Sequence, residues 1–271
     1  MTPFQAVLLA LVQAVTEFLP VSSSGHLILV PRLLGWSDQG LEFDIATNSG
    51  TLLATLVYFR GDLARIARGL LASLRSAGAG ACEPDARLGW ALLLGTVPAG
   101  IAGLLVEDWV STYARDPHLI AGTAIVYGLL LGLADRLGRR TRPLPDLGRR
   151  DGLLIGCAQA LALVPGTSRS GVTMTAALGL GATREAAARF AFLLAVPIGL
   201  LVGAKQLFDA LRGVPLGVPL DALVVGIAVS ALAGWAVIAL LLGWLRRRSL
   251  LVFVVYRLAL GAFLLLYFRS S

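Results

Sequence analysis

Apolar and polar positions along this chain fall into long blocks rather than short periods. The apolar segments run roughly over 3–19, 27–34, 43–60, 88–106, 119–135, 152–164, 172–182, 186–208, 220–243 and 250–268. Six of them, from 43–60, 88–106 and 119–135 to 186–208, 220–243 and 250–268, are long enough to cross about 30 Å of hydrocarbon at about 1.5 Å per helical residue, with tilt. The other four are short or broken. They group as two re-entrant hairpins, because irregular backbone survives at membrane depth only where protein shields it or where it lines a cavity. The expected fold is an all-α integral membrane protein, folded as a single membrane domain over 1–271.

Composition agrees with that reading. Hydrophobic residues make up 57% of the 271 positions and the mean hydropathy is +0.80, which excludes an ordinary soluble domain. The first basic residue is Arg32, so no charged region precedes the first apolar stretch and a cleaved signal peptide is not expected. A net charge of +7 invites a nucleic-acid reading, but the arginines sit in a few short loops between apolar segments, as in loops facing anionic lipid. Nucleic acid is therefore not an expected partner. Cys82 and Cys157 match no metal-ligand spacing and give no disulfide framework.

Charge also predicts sidedness. Arg60, Arg65, Arg68, Arg75 and Arg87 crowd one loop, Arg136, Arg139, Arg140, Arg142, Arg149 and Arg150 a second, and Arg246, Arg247 and Arg248 a third; these go to the cytoplasm. The 107–118 and 209–221 loops carry Glu107, Asp108, Asp116, Asp209 and Asp221 and go outside. Threading the segments through these loops places the ends of the first hairpin outside and those of the second inside. Each half becomes one re-entrant helical hairpin plus three transmembrane helices, an inverted-topology repeat with repeat 1 over about 1–136, a cytoplasmic loop over about 137–150 and repeat 2 over about 151–271. A sequence trace accompanies it: Gln13-Ala14-Val15 answers Gln159-Ala160-Leu161, and Ser22-Ser23-Ser24-Gly25 answers Ser168-Arg169-Ser170-Gly171.

The candidate chemistry gathers at the two hairpin breaks. Gln13 and Glu17 are four apart, so on a helix their side chains share one face. Pro20 ends that helix, and Ser22, Ser23, Ser24, Gly25 and His26 follow, offering hydroxyls, free backbone N–H groups and an imidazole where a second helix starts. The second break is Pro165-Gly166-Thr167-Ser168-Arg169-Ser170-Gly171. An arginine at membrane depth needs an anionic partner, and its planar fork suits a phosphate. Two partners stay open for Arg169 on these grounds: Glu17, in a structural pair, or a phosphate ligand.

Other polar positions are weaker signals. Asn48, Ser49 and Thr51 either line a cavity or help helices pack. Glu185 and Arg189, four apart, are expected to pair locally, and His118 to be solvated. Trp109, Tyr113, Trp244 and Tyr267 fall near predicted interfaces, where aromatic belts form.

The segment from Glu17 to His26, Glu-Phe-Leu-Pro-Val-Ser-Ser-Ser-Gly-His, together with Pro165 to Gly171, resembles the undecaprenyl-diphosphate phosphatases, the bacitracin-resistance membrane family. The resemblance covers nearly the whole chain. It implies hydrolysis of a polyprenyl diphosphate, undecaprenyl diphosphate, to the monophosphate, in a bacterial cytoplasmic membrane, at a site opening to the outer face and needing a divalent cation. By that resemblance Gln13 and Glu17 match a Glu/Gln-x-x-x-Glu motif, with Gln13 the uncharged choice, and Ser22 to His26 match a serine-rich loop. Expected partners are the lipid substrate and membrane lipids, with a homodimer admissible.

Phosphoryl transfer needs charge neutralisation, an aligned nucleophile and a proton acceptor. Arg169, Ser168, Ser170 and Thr167, with Ser22 and Ser24, form the expected phosphate-binding set; Glu17 and Gln13 are the expected metal ligands, for Mg²⁺ or Ca²⁺ through oxygen. Ser23, His26 and Glu17 are the expected catalytic residues, with Ser23 as nucleophile and His26 as its base. His26 as the nucleophile is the rival. Broken helices and a midplane charge cluster also describe transporters, so movement of a polyprenyl phosphate across the bilayer is the alternative function.

Overall fold

A computed structural model describes residues 1–75, 83–113, 116–212 and 217–269. Cys82, the glycines at 78 and 80, and the side chains of Trp109 and Tyr113 lie outside the described residues.

The first helix, α1 (Pro3–Phe18), begins on a reciprocal cap. The Thr2 hydroxyl accepts from Gln5 N at 3.3 Å and the Gln5 carbonyl accepts from Thr2 N at 2.7 Å, satisfying two donors the helix start leaves open. It ends because Leu19, which precedes Pro20, is pushed to an extended conformation at φ −68°, ψ 142°. The chain then turns into α2 (Ser23–Leu33), followed by α3 (Leu41–Tyr58), α4 (Arg60–Arg75), α5 (Pro84–Tyr113) and α6 (Pro117–Leu137). The second half runs α7 (Arg149–Ala160), α8 (Arg169–Gly179), α9 (Arg184–Leu211), α10 (Leu220–Leu245) and α11 (Leu251–Tyr267).

Four stretches are long and apolar enough to cross a membrane: Pro84–Val106, Pro117–Leu137, Arg184–Ala204 and Leu220–Leu245. With the shorter apolar helices they make this an all-helical, multi-pass integral membrane protein. Two expected spans differ. The helix α3 carries Glu42 and Asp44 in its first turn and a polar run at Thr47, Asn48, Ser49 and Thr51, while α11 is only 17 residues long. The arms of the hairpins also start earlier than their apolar patterns suggest, because Ser23 and Arg169 already occupy first turns, of α2 and α8. The loop after Arg60 is largely the amphipathic α4, whose Ile66, Gly69 and Ser73 are buried while Leu71 and Leu74 stay exposed.

The helices α3 and α1 pack on α10, α7 packs on α5, and α6 on α11. Close approach of α5 and α7 depends on glycine. A Cβ on Gly156 would stand 2.2 Å from the Gly95 carbonyl oxygen, and one on Gly152 2.1 Å from that of Ala91. Phe18 of α1 meets Phe192 of α9 edge-on at 5.2 Å, joining the two halves near the first hairpin break.

Partly buried ion pairs fix the arginine-rich end. Arg184 reaches Asp135 at 2.5 and 3.1 Å, and the same carboxylate caps Leu250 N at 3.1 Å, tying α6, α9 and α11 together. Arg142 holds Asp151 at 2.9 and 2.8 Å. The expected Glu185–Arg189 pair is loose, at 4.0 Å. Arg189 instead donates to Asp62 at 2.7 Å and Glu185 accepts from Arg246 at 2.9 Å, because interhelical partners offer shorter contacts than the neighbour one turn away. His118 is half exposed beside Asp116.

A side chain at Gly156 must push α7 away from α5. Gly156→Val is therefore expected to cost about 1–3 kcal/mol and lower the thermal unfolding midpoint in detergent. Gly100→Ala, on the same α5 with open space around it, is expected to leave the midpoint in place.

Candidate active site

The two breaks fold alike. Ser22 and Ser168 both adopt positive φ, 77° and 74°, a region that L residues other than glycine rarely enter and that costs about 1–3 kcal/mol each. This twist turns paired hydroxyls toward each other, Ser22 Oγ with Ser24 Oγ at 3.3 Å and Ser168 Oγ with Ser170 Oγ at 3.2 Å. Ser168 Oγ also accepts from Gly171 N at 3.1 Å, capping α8. Ser170 Oγ crosses to the Leu19 carbonyl at 3.1 Å, stitching the second break to the first.

Glu17, in the last turn of α1, is the hub. Its Oε1 accepts from Arg169 Nη2 in an ion pair whose carboxylate is nearly buried. Its Oε2 accepts from Ser23 Oγ at 2.6 Å and from Gln13 Nε2 at 3.1 Å, the latter realising the four-residue spacing. Gln13, Glu17, Ser23 and Arg169 thus form one hydrogen-bonded group. Of these four, Glu17 and Arg169 line a narrow cleft together with Asn48, Thr51 and Thr55 of α3 and Ala195 and Gly199 of α9. Asn48 and Thr51 line it as cavity residues; Ser49 does not.

His26 lies apart from this group. Its Nδ1 is 2.7 Å from the Ser22 carbonyl oxygen and its Nε2 is 2.5 Å from the Tyr256 hydroxyl, with the two rings stacked at 5.7 Å. The expected Ser23–His26 pair is therefore replaced by Ser23–Glu17, because the imidazole is held back by its own turn and by α11. Thr167 is fully buried and its hydroxyl finds no partner among the described residues; it does not border the cleft.

Sequence reasoning missed Arg257. Its side chain is fully buried and donates to the carbonyls of Ala124 at 3.1 Å, Pro20 at 3.1 Å, Thr123 at 3.2 Å and Gly166 at 3.0 Å. Pro20 and Gly166 each stand two residues before the twisted serines, so one guanidinium pins both breaks from behind. Its partners are carbonyl dipoles, which leave a positive potential beneath the serine loops that favours an anion. A lone arginine within the apolar 250–268 segment was the available signal, by the argument applied to Arg169.

Gln13 and Glu17, the expected cation ligands, are hydrogen-bonded to each other. The single carboxylate accepts from three donors, and among the described residues no group of three His, Cys, Asp or Glu side chains could hold a metal. A larger depression of about 310 Å³ lies elsewhere, between α4, α5 and α9, but its Asp62, Arg65, Glu185 and Arg189 neutralise one another or their neighbours.

Fold and site together define a multi-pass membrane protein with an internal hydrogen-bonded centre built on a carboxylate, a guanidinium and a serine hydroxyl. Residues 6–263 match the family model described as Bacitracin resistance protein BacA, and the chain belongs to that family. It is 52% identical over 261 residues to the undecaprenyl-diphosphatase of Magnetococcus marinus, covering 95% of this chain and 96% of that one. Similar proteins include the undecaprenyl-diphosphatase of Thioalkalivibrio sulfidiphilus, 48% identical with 98% of each chain covered, and undecaprenyl-diphosphatase 2 of Stutzerimonas stutzeri, 50% identical with 98% of each covered.

Replacing Arg257 by methionine keeps the stem and removes every donor, leaving four buried carbonyls without it. Arg257→Met is expected to destabilise the fold by more than about 3 kcal/mol, read from unfolding in mixed micelles.

Proposed function

We propose that this protein hydrolyses undecaprenyl diphosphate to undecaprenyl phosphate and inorganic phosphate, recycling the lipid carrier used in cell-wall synthesis. The single observation that carries the proposal is the bonding of Glu17 to both Arg169 and the Ser23 hydroxyl. The similarity to proteins named undecaprenyl-diphosphatase over nearly the full length supplies the substrate.

In this reading the terminal phosphate displaces Glu17 from Arg169, and the guanidinium neutralises the phosphate oxygens. Glu17, freed of its cation, becomes a stronger acceptor for the Ser23 proton it already receives. Ser23 Oγ forms a bond to the terminal phosphorus as the bond from that phosphorus to the bridging oxygen breaks, and undecaprenyl phosphate departs. Water then attacks the phosphoserine, giving its proton to His26, and Ser23 recovers its own from Glu17. The expected role of His26 as base thus moves to the second half-reaction. A divalent cation, Mg²⁺ or Ca²⁺, fits this scheme only as an ion arriving with the diphosphate, whose oxygens supply the ligands that Glu17 and Gln13 lack.

The inverted repeat belongs to the same proposal. Its supports are the matching serine twists, the equal spacing of Gln13 with Gln159 and of Ser22 with Ser168, and the reciprocal packing of α1 on α10 and α7 on α5. The arginine-rich loops support a cleft that opens toward the outer face of a bacterial cytoplasmic membrane.

Purified protein in detergent is expected to release phosphate from undecaprenyl diphosphate, with Ser23→Ala and Arg169→Ala each lowering turnover at least about 1,000-fold. A trapped phosphoenzyme should survive acid and break down in alkali; the reverse assigns the attack to His26. Lipid phosphate crossing proteoliposomes without phosphate release would favour the transport reading.

A further inference from the structure

The adjacent pair Tyr256 and Arg257 on α11 divides its labour. Arg257 pins the hairpin turns, while Tyr256, about 100° further round the helix, meets the imidazole of α2. A backbone carbonyl only accepts, so the 2.7 Å contact with the Ser22 oxygen puts the hydrogen on His26 Nδ1. The basic lone pair is then on Nε2, and the phenol O–H donates to it at 2.5 Å. His26 is 9% exposed and Tyr256 is 43% exposed, so the phenol is the outer member of the stack.

We infer that Tyr256 is the proton relay through which His26 acts as a base. The inference rests on the base role given to His26 under Proposed function. As water attacks the phosphoserine, its oxygen bonds to phosphorus while the bond from phosphorus to Ser23 Oγ breaks. The proton of that water passes to the Tyr256 oxygen as the phenol's own proton passes to His26 Nε2, leaving tyrosine unchanged and imidazolium formed. The proton then returns to solvent by the same route, and the Ser23 alkoxide takes its proton from Glu17.

Tyr256→Phe keeps the ring stacked on the imidazole and removes only the hydroxyl. With undecaprenyl diphosphate as substrate, kcat should fall at least about 10-fold and KM should fall with it, so that kcat/KM stays within about twofold; the loss is smaller than the roughly 100-fold or more that a general base contributes, because His26 itself remains. Undecaprenyl phosphate should appear in a burst ahead of inorganic phosphate, and an acid-stable phosphoenzyme should accumulate, because only the second half-reaction is slowed. In a His26→Ala background the tyrosine substitution should add no further loss.

A packing role alone would lower the thermal midpoint without a burst or phosphoenzyme, and that result overturns the inference. An inactive His26→Ala beside a fully active Tyr256→Phe overturns it while leaving the base assignment standing. His26→Ala with unchanged turnover removes the base assignment and this inference together.

Discussion

A guanidinium at membrane depth has to meet a negative charge or a full set of backbone carbonyls, and the Arg169–Glu17 pair is where this chain uses a charge. The two residues are 152 positions apart and sit at the broken ends of different hairpins. Bringing them together requires α1 to stop at Pro20, α8 to start at Arg169, and both turns to be held in place without water. Arg257 meets the last requirement by donating to the carbonyls of Pro20 and Gly166. Since its partners are neutral, it adds positive charge to a site that holds one carboxylate. The balance favours an incoming anion.

That imbalance links packing to chemistry. Glu17 satisfies Arg169, Ser23 and Gln13 at once, so the pair itself is neutral and the excess positive charge comes from Arg257. A phosphate offers Arg169 more oxygens in better geometry than one carboxylate edge, and exchange of partners then releases Glu17 at the serine. In the proposed reaction, binding and activation become one event. The strain at Ser22 and Ser168 has a matching explanation: each twist turns its hydroxyl toward the next serine but one.

Much of this was legible in the sequence. Pro20, the serine runs, the Gln13–Glu17 spacing and the isolated Arg169 are local features, and local features survive in a string of letters. Apolar block lengths located the long spans of α5, α6, α9 and α10 for the same reason. The remainder depends on contacts between distant positions. Tyr256 reaches His26 across 230 residues, and no periodicity in either segment announces it. Arg257 was diluted by its apolar neighbours when 250–268 was judged by average character. Glu185 and Arg189 had the spacing of a helical pair, yet Arg246 and Asp62 outcompeted it. The Ser23–His26 partnership failed because neighbouring positions can share a motif and still aim at different elements.

The exchange of Arg169 between carboxylate and phosphate is best tested by a structure with undecaprenyl methylenediphosphonate, whose carbon bridge cannot be cleaved. The account predicts the terminal phosphonate in the α3–α9 cleft, its oxygens on the Arg169 guanidinium, its phosphorus beside Ser23 Oγ, and Glu17 released from the arginine. A head group bound elsewhere, with Arg169 still paired to Glu17, would contradict it.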